Sequence, residues 1–144
     1  MQRRRLILGL MGLATFPRIA HAHSYALGNI AIGHAWALPA EGTEGQAFFP
    51  MVNNGNAADE LIAAHSSVCG SIEFRRNNAP DVPPLNSFVL EPGKPLAMRP
   101  TARHLRLMGL TSPLVLDQRF TITLAFRNAG ETGIEFHVEH APGD

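Results

Sequence analysis

The chain has 144 residues, enough for one domain, with twelve basic and twelve acidic residues. Four of the basic residues (Arg3, Arg4, Arg5 and Arg18) and none of the acidic ones fall in the first 22 positions, so the rest carries eight against twelve, a formal charge of −4. A mildly acidic domain has no electrostatic reason to bind nucleic acid, and its single cysteine, Cys69, excludes an internal disulfide.

Arg3-Arg4-Arg5 is followed by an apolar run from Leu6 to Phe16 and then by Ala20-His21-Ala22. A basic start, a short apolar run and an Ala-x-Ala cleavage site make a secretory signal over residues 1–22, and the run is too short to span a bilayer. The pair Arg3-Arg4 followed by Leu6-Ile7 also fits a twin-arginine signal, so export runs by the general or the twin-arginine route. The folded domain is expected over residues 23–144, where about 120 residues suffice for one core without a covalent staple. Cleavage after Ala22 makes His23 the first residue. Its amine and imidazole can chelate copper(II) through two nitrogens, since imidazole suits copper. The alternative is an exposed terminal histidine.

The strands follow in order. Leu27 to Trp36 reads as a first strand, with Ile30 and Ile32 on one face and His34 packed within it. Gln46 to Val52 is a second, closed by the turn residues Asn53-Asn54-Gly55-Asn56. Asp59 to Ser66 gives a third, and Ser71 to Arg75 alternates Ile72 and Phe74 with Glu73 and Arg75. Asn77 to Ser87 is a Pro- and Asn-rich loop. Arg103 to Leu107 alternates with His104 away from the apolar face, Phe120 to Phe126 puts four apolar residues on one side, and Ile134 to Val138 alternates once more. Seven or so short strands without a helical pattern predict an antiparallel β-sandwich.

Leu90 to Leu116, with Pro92-Gly93, Pro95, His104-Leu105-Arg106, Gly109-Leu110 and Pro113-Leu114, leads into a strand closing on Phe126-Arg-Asn-Ala-Gly130. Together with His34-x-Trp36 and Asp59-x-Leu61, these segments resemble the periplasmic copper-chaperone family PCu(A)C over nearly the whole exported chain. The resemblance implies an all-β, cupredoxin-like antiparallel sandwich of Greek-key type. It also implies a monomer in the periplasm that passes copper, as Cu(I) rather than Cu(II), to a copper-accepting protein of the respiratory chain during oxidase assembly, or to another periplasmic copper protein.

That family holds copper with two histidines and two methionines, soft and borderline donors for a soft ion. Carried over by position, the first histidine falls on Arg75, the loop methionine near Leu85-Asn86, and the His-x-Met pair on His104-Leu105-Arg106. Only His104 is kept, so His104 and His23 are the candidate metal ligands, with Met98 or Cys69 as an off-pattern donor. Met108, about 13 Å along the same strand, is expected to pack rather than ligate. A guanidinium has no lone pair and repels a cation, so Arg75 and Arg106 predict instead an anion-accepting patch for a carboxylate, a phosphate or a partner protein, unless they simply pair with nearby glutamates. His137-x-x-His140 has a spacing that splits its rings between strand faces unless the strand has ended. No nucleophile triad, paired-carboxylate motif or zinc spacing is present, and the chain is not expected to be an enzyme.

Overall fold

A computed structural model describes residues 24–142. The expected signal and His23 lie outside them.

Every regular element is a strand: β1 (Tyr25–Leu27), β2 (Ile30–Ile32), β3 (Trp36–Ala37), β4 (Glu44–Phe48), β5 (Met51–Asn53), β6 (Asp59–His65), β7 (Ser71–Arg75), β8 (Phe88–Leu90), β9 (His104–Met108), β10 (Arg119–Phe126) and β11 (Gly130–Val138). Among the described residues no helix is long and apolar enough to cross a membrane. One sheet runs β7-β9-β4-β3-β11-β10-β6-β8 and a second, smaller one β1-β2-β5. β6 and β7 touch, so the larger sheet curls towards closure around a single core. This is the cupredoxin-like sandwich that the sequence predicts.

Two stretches that read as single strands are broken in the structure. Gly28, at a φ of 55°, turns the chain between β1 and β2, and the extended stretch ends at Ile32 before β3 begins. β4 and β5 are separated by Phe49-Pro50, where proline has no N–H to give to a ladder. The Pro50 carbonyl is still used, accepting the Gly33 N–H at 2.9 Å.

All pairings in the larger sheet are antiparallel except that of β3 with β11, which is parallel and matches Trp36 to His137 and Ala37 to Val138. Sequence alternation carries no sign of strand direction, so this pairing could not be anticipated. The core is built as the alternation predicts: Leu105 and Leu107 of β9, Phe120, Ile122, Leu124 and Phe126 of β10, and Ile134, Phe136 and Val138 of β11 are all buried. Phe136 stacks on Phe120 with centroids 5.8 Å apart and meets Phe49 edge-on at 5.7 Å.

Candidate functional site

With Leu105 and Leu107 turned into the core, His104 and Arg106 face the other side of β9. The flanking strands bring matching residues beside them. β7 sets Arg75 against His104 and Glu73 against Arg106, while β4 sets Gln46 against Arg106. Between these strands opens a cavity of about 370 Å³, with Glu44, Gln46, Arg75, Asn78, His104 and Arg106 as its polar lining and Leu38, Pro39, Ala40 and Pro80 among its apolar walls.

His104 is 1% exposed. Its Nδ1 lies 2.8 Å from the Ala102 carbonyl and must carry the proton there, since a carbonyl can only accept. The other nitrogen, Nε2, is left as an acceptor facing the Gln46 amide nitrogen at 3.2 Å. The same amide nitrogen donates to the Pro100 carbonyl at 3.3 Å, which holds it in place. The lone pair that a metal would use is therefore capped. Arg75, 4% exposed, donates from Nη2 to the Ala79 carbonyl at 2.7 Å, and its Nη1 lies 3.5 Å from Glu73 Oε2. Arg106 is paired with Glu44 through Nη2.

This arrangement does not fit a copper ion. It offers one capped imidazole nitrogen and two permanent cations, and among the described residues no group of three or more His, Cys, Asp or Glu side chains could hold a metal. Leu85, near which the resemblance places the loop methionine, returns to β7 through a hydrogen bond from its N–H to the Phe74 carbonyl at 2.8 Å. The proposed off-pattern donors are elsewhere: Met98 packs against the core, and Cys69 is buried beside Gly70, at the end of β7 that meets Met108 rather than His104. Burial also raises the pKa of the Cys69 thiol, which keeps it protonated and a poor ligand.

Burial lowers the pKa of His104, and the positive charges of Arg75 and Arg106 lower it further, against the opposing hydrogen bond to Ala102. The unfolded chain then binds more protons than the folded one from the ordinary histidine value of 6.5 down to the depressed folded value. Stability from this residue is complete above that window and is lost as pH falls through it. In urea unfolding, the wild-type chain is expected to lose more stability between pH 7.5 and pH 5.5 than a His104→Gln variant. Equal losses in the two proteins would contradict the assignment.

A second constellation was missed from the sequence. His34 is not packed within a strand; it lies exposed between β2 and β3. The parallel register of β3 on β11 aligns position 34 with position 135, so the contact of His34 with Glu139 is made by side chains beyond the ladder and not by the register itself. Glu139 holds His34 Nε2 at 2.6 Å with one oxygen and His137 Nδ1 at 2.9 Å with the other, and His137 Nε2 reaches Asp117 Oδ1 at 3.4 Å. Burial works to raise the Glu139 pKa, but the hydrogen bonds from the two imidazoles outweigh it and the net shift is downward. β11 ends at Val138, so His140 lies beyond the strand and is exposed. The residues of this group, His34-x-Trp36 and His137-x-Glu139, were visible, but nothing local in the sequence joins them.

Among solved structures, the chain is 30% identical to the copper-bound PCuAC domain from PmoF2, covering 83% of this chain and 99% of that one with a TM-score of 0.73. It is 31% identical to the apo form of that domain, covering 85% of this chain and 98% of the other with a TM-score of 0.72. The sandwich and these similarities thus define a divergent PCu(A)C domain. Residues 30–138 match the family described as "Putative lipoprotein LpqE-like", and the chain belongs to that family. A protein of Leifsonia xyli subsp. xyli (strain CTCB07) named "Putative lipoprotein Lxx21020" is 26% identical over 144 residues, 96% of this chain and 87% of its own length.

Proposed function

We propose that this protein binds copper in the periplasm and passes it to a copper-accepting protein, with respiratory oxidase centres as the recipient class, and that it does so through the amine and imidazole of His23 rather than at His104. The observation that carries this reading is the similarity to a copper-bound PCuAC domain, set beside a β9 face whose one imidazole is capped by Gln46 and flanked by Arg75 and Arg106. β1 and β2 pair Tyr25 with Ile32. β1 is in turn held near β11, where the Glu135 N–H donates to the Tyr25 hydroxyl at 3.3 Å. In this reading His23, freed by signal cleavage, supplies a terminal amine and an imidazole.

Such a donor set contains nitrogen only. It suits Cu(II), in place of the Cu(I) that the family's methionine-rich site implies. The similarity to a copper-bound PCuAC domain supports copper as cargo, and the lipoprotein descriptions of the family and of the Leifsonia relative support a place in the cell envelope.

Titration of residues 23–144 with Cu(II) against a competing chelator tests the reading. One extra residue ahead of His23 is expected to lower affinity at least tenfold, about 1.4 kcal/mol or more, while His104→Ala leaves it unchanged. Loss of binding in His104→Ala with retention in the extended chain would return the site to β9, and no binding in any form would remove copper from the account.

A further inference from the structure

We propose that the exposed arginines Arg76, Arg99 and Arg103 form a docking surface for an acidic segment of a partner protein, independent of the copper reading above. Pairing is the first argument. Of the eight basic residues in the described chain, five have a carboxylate partner: Arg75 with Glu73, Lys94 with Glu91, Arg106 with Glu44, Arg119 with Glu135 and Arg127 with Glu60. Among the described residues, Arg76, Arg99 and Arg103 make no ion pair and no side-chain hydrogen bond, and all three are exposed. The unpaired three are also gathered in one place. Arg75 and His104 are register partners, so Arg76, which follows the first, and Arg103, which precedes the second, leave the β7–β9 ladder at the same end. The Arg99 N–H donates to the Arg103 carbonyl at 3.0 Å, which closes a turn and keeps Arg99 at that end as well. The loop beyond Arg76 carries one carboxylate, Asp81, which pairs with none of them. Three cations less one carboxylate leave an excess of two positive charges, in a domain whose formal charge over residues 23–144 is −4.

Shape is the second argument, and it selects the partner. Arg103 lines a cavity of about 360 Å³ together with Val89, Glu91, Lys94, Pro95 and Leu96. Glu91 and Lys94 satisfy one another, so Arg103 is the unmatched charge there. Val89 lies on β8, at the edge of the larger sheet, and is 56% exposed. A hollow that sets an apolar side chain beside a guanidinium fits an extended segment in which carboxylates and apolar residues mix. An anionic bilayer fits it poorly, because a flat surface cannot fill a hollow and repels a domain of negative net charge. Guanidinium groups hold carboxylates through paired N–H bonds. Exposed charges of this kind govern partner choice and association rate more than affinity, so the contact is weak and salt-sensitive.

The probe is a short fluorescein-labelled peptide of glutamates interrupted by valines, titrated with residues 23–144 at pH 7.5 and low salt and followed by fluorescence anisotropy. A copy with glutamine in place of glutamate is the comparison, and phosphatidylglycerol vesicles are the lipid control. Saturable binding of the glutamate peptide is expected, with none of the glutamine copy and with a loss of about tenfold when salt is raised to about 0.5 M. The double variant Arg76→Gln/Arg103→Gln is expected to weaken binding at least fivefold. Arg119→Gln/Arg127→Gln removes the same charge from paired, exposed arginines elsewhere and is expected to leave binding within about twofold of wild type. All four side chains are exposed, and unfolding curves verify that both variants fold. Absence of saturable binding, equal weakening in the two double variants, or tighter binding to the vesicles than to the peptide would each overturn the proposal.

Discussion

Replacing Arg75 by histidine and Arg106 by methionine together is expected to raise Cu(I) affinity between about a hundredfold and a thousandfold. The register already places position 75 beside His104, and position 106 is two residues along the same face of β9, so the new imidazole and thioether would converge with the His104 ring. A cation about 5 Å from a guanidinium is repelled by about 3 kcal/mol at an effective dielectric near 20, and there are two such groups. Halving the sum for solvent entering the open cavity leaves about 3 kcal/mol, or about a hundredfold, from relieved repulsion alone. Two donors matched to Cu(I) add to this, and Glu44 and Glu73, released from their partners, cease to be neutralised. Gln46 must swing its amide off His104 Nε2, which sets the lower end of the range. Competition with a Cu(I) chelator measures the effect. A double variant that binds no better than wild type would mean that the β9 face is not an overwritten copper site but one that never had the geometry.

How far the sequence could be read differs between the two sites. The β9 face was legible because strand alternation is a local signal: Arg103 to Leu107 shows which side His104 and Arg106 occupy, and Ser71 to Arg75 shows the same for Arg75. That β7 lies next to β9 is a long-range fact, but family resemblance supplies it. The Gln46 cap on His104 was not legible, because it needs the register of β4 on β9. The His34–Glu139–His137 group fails for the same reason more severely. His34 and Glu139 stand 105 positions apart, and their contact is a long-range one that no local pattern signals. The strand breaks at Gly28 and at Phe49-Pro50 had local signals in the sequence, and apolar continuity concealed them.

The two segments that carry the resemblance most clearly, Asp59-x-Leu61 and Phe126-Arg-Asn-Ala-Gly130, turn out to be halves of one contact, and cutting it is expected to have the largest effect on stability. Asp59 is 6% exposed. Its Oδ1 accepts the N–H groups of Glu60 at 2.8 Å and Asn128 at 2.9 Å, and its Oδ2 accepts that of Ala129 at 2.9 Å. Asn128 and Ala129 form the turn between β10 and β11, which Gly130 completes at a φ of 102° that a side chain would resist. One carboxylate thus ties the start of β6 to the hairpin that supplies the longest strands of the core. Asp59→Ala strands those N–H groups against protein, at about 1–3 kcal/mol for each buried donor left unpaired, so about 3–5 kcal/mol in all is expected. For a domain of about 120 residues this is a fall in Tm of more than about 10 °C. Asp59→Asn is expected to cost less than alanine but still destabilise, because one carboxylate oxygen is replaced by an NH₂ that must face the N–H of Asn128 or Ala129. Thermal and urea unfolding of both variants measure the order. If Asp59→Asn matched wild type, the carboxylate would not be closing the hairpin, and the shared spacing of the two segments would need another cause.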